Sequence, residues 1–160
     1  MIYTIRVETQ GIAQPRAKAR RFGNVIQIYT PTSERISTYK ALFKDKWNEN
    51  HPETMLEGPL TVHMAFYMRR TSTELRRDAS DTAVPHTKKP DIDNLAKAVL
   101  DALNGVAWHD DSQIYQLHII KYYGNVEFGG ATGKKRISGE PFVTVGIQTA
   151  LARDEEGADV

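Results

Sequence analysis

A short amphipathic segment with carboxylates on both sides constrains this chain more than any other feature. Between residues 92 and 106, apolar side chains recur at spacings of three and four, which is the period of one face of an α-helix. Asp91 is a favourable N-cap residue, and Asn104-Gly105 can adopt the left-handed conformation that ends a helix. The sequence therefore predicts a helix with one apolar face and acidic residues just before and just after it.

Four carboxylates and one lysine around this helix suit chemistry on a phosphate. Asp91 and Asp93 lie at its start and Lys97 one turn later, while Asp110 and Asp111 follow its end. Mg²⁺ prefers carboxylate and water oxygens, and metal ions activate water and neutralise charge in phosphodiester hydrolysis. Asp111 reaches the two earlier carboxylates if the chain folds back. These three are therefore candidate metal ligands, with Asp110 as a further candidate.

Each of these residues also has an ordinary structural explanation. An aspartate at a helix start caps the helix and compensates its dipole. Asp93 and Lys97 have the spacing of an exposed i,i+4 ion pair, and Asp-Asp-Ser is a common turn sequence. Spacing alone leaves both interpretations open.

The motif as a whole resembles the signature of the RusA family of Holliday-junction resolvases. A weaker match is the basic segment at residues 14–20, together with Tyr29-Thr30-Pro31. The likeness covers about residues 1–148. The residues that match the main signature are Asp91, Asp93, Asn94, Leu95, Lys97, Asp101, Ala102, Leu103, Trp108, Asp110, Asp111 and Gln113.

The resemblance implies a dimeric crossover junction endodeoxyribonuclease of the phage and prophage type, which depends on Mg²⁺ with Mn²⁺ as a substitute. Asp91, Asp93 and Asp111 would bind the metal, and Lys97 would contact the scissile phosphate or the leaving oxygen. The expected partners are a four-way (Holliday) DNA junction and a second copy of the chain. Two alternatives stay open. One is another branched DNA or phosphodiester substrate, and the other is a non-catalytic DNA-binding module in which the acids only cap and bridge.

Basic residues elsewhere are candidate DNA contacts, because arginine and lysine neutralise successive backbone phosphates. They can equally be solvated surface. We interpret residues 69–89 as a mobile, DNA-facing loop, since polar loops of that length in compact domains are usually functional or disordered. The candidate contacts are Arg16, Lys18 and Arg20, then Arg76, Arg77, Lys88 and Lys89, and finally Lys134 and Lys135.

The remaining pattern predicts a single α+β domain over residues 1–148. Alternating apolar residues predict strands at 3–8, 25–29, 60–68, 114–122 and 141–147. An aromatic stripe predicts a helix from about residue 33 to 48, and we expect loops at 14–21 and 124–139. This order favours a mixed sheet with two main helices packed on one face.

Composition bears on location and charge. The chain has no cysteine and no apolar run of membrane-spanning length, so we expect a cytoplasmic protein with no membrane contact. Net charge is +1, but the last ten residues hold one basic and four acidic side chains. Of 21 basic and 20 acidic residues, 20 and 16 therefore remain in the body, which carries +4. We expect residues 149–160 to be a disordered acidic tail.

Overall fold

The computed structural model describes residues 1–70, 84–124 and 140–150, and two short strands between the last two ranges. A 3-10 turn, Asp111–Gln113, directly precedes β5. The strands and helices are β1 (Ile2–Val7), β2 (Lys18–Phe22), β3 (Val25–Tyr29), α1 (Glu34–Asn50), β4 (Leu60–Met68), α2 (Ile92–Leu103), β5 (Ile114–Tyr123), β6 (Glu127–Phe128), β7 (Lys135–Arg136) and β8 (Phe142–Thr149).

Four of the strands form one mixed sheet in the order β1-β8-β4-β5. β8 is antiparallel to both of its neighbours, whereas β4 and β5 are parallel and are connected through α2. A parallel pair needs such a crossover, because the chain must return to the same end of the sheet. The mixed sheet and two helices confirm the predicted α+β class.

Both helices pack on one side of the sheet, here called the helix face. Alternate residues of β4, including Val62 and Phe66, are buried there. The aromatic stripe of α1 and the apolar face of α2 complete this core, as the sequence predicted. Within the described residues, neither helix is long and apolar enough to cross a membrane. The helix residues that bury the most volume are Tyr39, Phe43, Trp47, Leu95 and Leu103.

The loop predictions at residues 14–21 and 124–139 are partly wrong. Lys18–Phe22 is a strand that pairs with β3 around a turn at Gly23, whose φ is 59°. Every residue of this hairpin is exposed, so no apolar alternation marks β2 in the sequence. The short strands β6 and β7 also pair with each other inside the second predicted loop.

Several predictions fall outside the described residues. Arg76, Arg77 and Lys134 lie there, as do residues 71–83 and 151–160, so for these residues the mobile loop and the acidic tail stay predictions. Thr149, which was assigned to the tail, is the last residue of β8. Lys135 is described only through its backbone in β7. Residues 84–86, at the end of the predicted loop, pair with the last part of β5: the His86 amide donates to the Lys121 carbonyl (2.9 Å), and the Tyr123 amide to that of Val84 (2.9 Å).

Gly11 provides a test of packing on the helix face. A Cβ there would lie 3.1 Å from Leu95 Cδ2 and 3.2 Å from Phe66 Cδ1, whereas one at Gly146 would meet nothing nearer than 3.9 Å. We expect Gly11→Val to lower the free energy of unfolding by about 1–3 kcal/mol, because it overpacks the core. Gly146→Val, the control, should cost much less in urea denaturation. Equal stabilities would contradict this account of the packing.

Candidate active site

A groove of about 520 Å³ opens beside the N-terminus of α2 and contains two of the predicted metal ligands, Asp91 and Asp93. It lies between the first turn of α2, the end of β5 and residues 85–88. The structure thus brings these carboxylates together with Lys88, a predicted DNA contact. We call it the aspartate groove, and its polar lining includes Thr87, Lys88, Asp91, Asp93, Lys121 and Tyr122.

Asp91 does not act as a cap, although it occupies the N-cap position of α2. Its side chain makes no capping hydrogen bond. Instead, Asp91 Oδ2 lies 3.2 Å from Nη2 of Arg16, and both side chains are largely exposed. Such a pair contributes only about 0–1 kcal/mol to stability. Neither capping nor a strong ion pair therefore explains why a carboxylate stands here.

Arg16 and Lys89 flank the groove on the other side of Asp91. These three residues line a second depression together with Gln14 and Asn94. The Gln14 amide donates to the Asn94 carbonyl (2.8 Å), which ties the segment before β2 to the first turn of α2. Two predicted DNA contacts thus lie directly beside the carboxylates.

Lys18 and Arg20 continue this basic surface along β2. Side chains alternate across a strand, so these two residues project from the same face of the hairpin. The Arg20 guanidinium lies 4.5 Å from the centre of the Phe22 ring. What the sequence suggested as a basic loop is therefore an exposed strand with regularly spaced cations.

Lys97 lies one turn after Asp93, but its nearest charged partner is farther along α2. Its Nζ is 3.5 Å from Asp101 Oδ1, and Lys40 of α1 is 3.1 Å from Asp101 Oδ2. Asp101 therefore joins the two helices and orients Lys97.

Lys121 is a residue of the groove that sequence reasoning missed. Its Nζ donates to the carbonyls of Lys88 (2.7 Å) and Pro90 (2.6 Å), on the N-terminal side of Asp91. Desolvation lowers the pKa of Lys121, while the nearby Asp91 carboxylate opposes that shift. Lys121 pairs with Phe66 of β4, which is buried in the core, so its side chain lies on the helix face; this register comes from the sheet and left no signal in the sequence.

Asp110 and Asp111 lie in a different environment. Asp110 accepts a hydrogen bond from the Ser112 amide (2.8 Å) and forms a capping box with Gln113. Hydrogen bonds from Ser112 also lower the pKa of Asp110. Asp111 Oδ1 accepts from the indole N–H of the buried Trp108 (2.8 Å). The structural explanation therefore fits Asp110 fully, whereas Asp111 keeps its second oxygen for another partner.

The acidic residues before α2 and those after it are far apart within one chain. Near the start of α2, Lys121 Nζ donates to the Pro90 carbonyl. Beyond the end of α2, the Gln113 side chain donates to the carbonyls of Leu56 and Gly58, just before β4. The twelve residues of α2 span about 18 Å, and β5 covers about 23 Å between Ile114 and Lys121.

The expected fold-back of Asp111 onto Asp91 and Asp93 therefore does not occur in a single chain. Among the described residues, no three aspartate, glutamate, histidine or cysteine side chains form a group that could hold a metal ion. A single chain thus fits the implied Mg²⁺ only in part, through the two carboxylates of the aspartate groove.

Paired carboxylates beside exposed arginine and lysine side chains are typical of enzymes that act on nucleic-acid phosphates. Residues 8–130 match the family model of endodeoxyribonuclease RusA. The chain belongs to this endodeoxyribonuclease family, as the sequence motif predicted. It is also similar to the uncharacterized protein YqaN of Bacillus subtilis (strain 168), with 30% identity over 126 residues, which cover 76% of this chain and 86% of YqaN.

Lys121 should position the segment that carries Asp91. We expect Lys121→Met to slow DNA cleavage by roughly tenfold or more, since a charged hydrogen bond contributes about 1.5–3 kcal/mol. For a nuclease in which Asp91 binds Mg²⁺, the Mg²⁺ concentration for half-maximal cleavage should also rise, because Asp91 is held less firmly, while DNA affinity changes little. A metal titration of single-turnover cleavage measures this. An unchanged half-maximal concentration would limit Lys121 to a role in stability, and Lys121→Arg, which keeps a donor, is the control.

Proposed function

We propose that this protein is a Mg²⁺-dependent endodeoxyribonuclease that resolves four-way DNA junctions by hydrolysing phosphodiester bonds. The observation that carries the proposal is the placement of Asp91 and Asp93 in one groove, where neither side chain caps α2 and basic residues stand on both sides. Family membership supports the nuclease activity. The choice of a four-way junction rests on the resemblance of the motif to the junction resolvases.

Each residue of the groove has a part in this proposal. Asp91 and Asp93 supply carboxylate oxygens, the ligands that Mg²⁺ prefers, and Mn²⁺ accepts the same ligands. A bound ion would activate water and neutralise the charge that develops on the phosphate. Arg16, 3.2 Å from Asp91, is placed to exchange that carboxylate for a DNA phosphate. Lys97 needs only to rotate away from Asp101 to extend towards a phosphate bound near Asp93.

Two copies of the chain should act together. A four-way junction has approximate twofold symmetry and requires two symmetric nicks, so a twofold dimer with two identical sites matches its substrate. We therefore include a homodimer in the proposed function.

Asp93→Asn should separate DNA binding from cleavage. The substitution keeps the shape of the side chain, but a neutral amide is a poor ligand for a hard cation. We expect cleavage to fall about a thousandfold, which corresponds to several kcal/mol in the barrier. Junction binding should persist or strengthen, because a charge that repels phosphate is lost. Gel shift and nicking on the same junction in Mg²⁺ measure both.

Asp45→Asn, on the exposed surface of α1, is the matched control and should behave like the wild type. A panel of flap, three-way, four-way and duplex substrates, with and without Mg²⁺, tests the substrate. Cleavage of flaps in preference to four-way junctions would replace the proposed substrate. Wild-type nicking by Asp93→Asn would remove this carboxylate from the mechanism.

The basic strand β2 should contribute affinity through counterion release. Replacing both Lys18 and Arg20 by alanine should reduce the slope of log affinity against log salt by roughly two, if each contacts one phosphate. Removing Lys44 and Lys46 from α1 takes away the same charge elsewhere and should leave the slope unchanged. Equal slopes for the two double variants would show that β2 does not contact DNA.

A further inference from the structure

The β2–β3 hairpin exposes large apolar side chains on both of its faces. All ten of its strand residues are exposed, and among the described residues it holds five of the thirteen exposed large apolar ones. Their exposed fractions range from 42% to 74%. Single apolar side chains on a surface need no explanation, but a cluster of them marks a binding site. The five residues are Phe22, Val25, Ile26, Ile28 and Tyr29.

The charge of the hairpin identifies its partner as a polyanion. Residues 9–33 include no aspartate and no glutamate. The basic residues of this segment are Arg16, Lys18, Arg20 and Arg21, so that it carries +4. A second copy of the hairpin would bring like charges together, which opposes binding. DNA phosphates instead neutralise these cations and release counterions.

Cations and apolar side chains share one face of the hairpin. In the register of the two strands, Lys18 lies opposite Tyr29 and Phe22 lies opposite Val25. Arg20 falls between these pairs on the same face, because side chains alternate along a strand. Phe22 and Val25 flank the turn, and we call these two residues the tip of the hairpin. One face can therefore contact phosphates with its cations and base rings with its tip.

A branch point is the part of a DNA molecule that offers partners for both faces. The bases of an intact duplex are stacked on one another, so its surface consists of phosphates and groove edges. Where base pairing is interrupted, the base rings become accessible to aromatic and apolar side chains. Ile26 and Ile28 lie on the face opposite Phe22, and both are exposed. A hairpin that is apolar on two sides therefore fits between two arms of a junction.

The start of the hairpin is fixed beside the aspartate groove. The Gln14 amide donates to the Asn94 carbonyl (2.8 Å), and Arg16 lies 3.2 Å from Asp91. From Arg16 to Phe22 the chain spans at most about 20 Å, because an extended residue covers about 3.3–3.6 Å. One DNA strand has a phosphate about every 3.4 Å along the helix axis, so the tip reaches at most about six nucleotides from a phosphate beside Arg16.

We propose that the β2–β3 hairpin recognises the branch point of DNA: Phe22 and Val25 stack on the bases exposed there, while Lys18 and Arg20 bind the adjacent phosphates. The inference deepens the proposed function and rests on it for branched DNA as the substrate. Selectivity for branched over linear DNA then comes from apolar contacts, and general affinity comes from the cations. This division accounts for the large apolar side chains that a strongly basic element leaves exposed.

Phe22→Ala tests this division of roles in equilibrium binding, measured in EDTA so that no DNA is cut. Affinity for a four-way junction should fall roughly tenfold or more, as expected for the loss of an aromatic–base stack, while affinity for linear duplex changes little. The slope of log affinity against log salt should stay the same, because no cation is removed. Equal losses on the two DNAs, or no loss on either, would overturn the proposal.

Two control variants accompany this measurement. Phe22→Tyr keeps an aromatic ring and should bind the junction like the wild type. Leu42→Ala removes an exposed apolar side chain of α1 and should leave selectivity unchanged. Because Phe22 is 52% exposed, its replacement should not unfold the protein, which circular dichroism checks. Loss of selectivity in Leu42→Ala as well would contradict a specific role of the hairpin.

The fluorescent base 2-aminopurine reports stacking at the branch point directly. We expect the wild type to change the fluorescence of a probe at the branch point, and not that of a probe in the middle of an arm. Phe22→Ala should produce no such change, even at concentrations that saturate the junction with protein. An identical response from the wild type and Phe22→Ala would reject contact between this ring and the bases.

Sedimentation of Ile28→Asn tests the rival partner, a second copy of the chain. Ile28 is 74% exposed, and we expect this variant to keep the oligomeric state of the wild type. A change in that state would assign the hairpin to a contact between copies and overturn the proposal. Nicking in Mg²⁺ tests the proposed function separately. A hairpin that selects junctions in a protein that cuts no DNA would contradict the nuclease, whereas cleavage with no effect of Phe22→Ala on selectivity would contradict only this inference.

Discussion

The packing of α2 across the helix face of the sheet determines where all the acidic residues lie. Leu95, Val99 and Leu103 are fully buried, so the helix cannot shift along its axis without opening the core. Its start is therefore held at the end of β5, where Lys121 binds the carbonyls before Asp91. The end of α2 is held near the start of β4, where the Leu56 amide donates to the Ala107 carbonyl. The positions of the aspartate groove and of the turn that carries Asp111 therefore both follow from the buried packing of α2 on the sheet.

Elements with one buried face were predictable, because burial imposes a period on the sequence. Buried and exposed residues alternate along most of β4, and the aromatic residues of α1 recur every four positions. Both elements lie close to where the sequence predicted them. The hairpin of β2 and β3 is exposed on both sides, so only β3, with its apolar residues, was recognised. A strand such as Lys18–Phe22 is formed by backbone hydrogen bonds to its neighbour, and these leave no pattern in the order of its side chains.

The chemistry of the site was predictable from residue types, but its arrangement was not. Asp91 and Asp110 occupy equivalent positions, each just before a helical turn. Asp110 caps its turn, whereas Asp91 makes no capping bond and instead faces Arg16, on a segment 75 residues away in sequence. Asp111 was expected beside Asp91, but the lengths of α2 and β5 place it at the far end of both elements. The packing of these elements in the sheet decides where each carboxylate lies, and spacing in the sequence carries no information about that packing.

The charge distribution divides the molecule into surfaces with different tasks. Cations gather beside the aspartate groove and along β2, whereas the strand residues on the side of the sheet away from the helices include only one, Arg6. A polyanion is attracted to the first surface and gains little from the second. Asp111 lies away from the basic surface, so the aspartate groove of one chain contains two of the three expected carboxylates. The basic surface can attract branched DNA whether or not a metal ion is bound, because its cations lie outside the groove as well as beside it. In the proposed homodimer, two such surfaces would hold the two strands that a junction resolvase must cut.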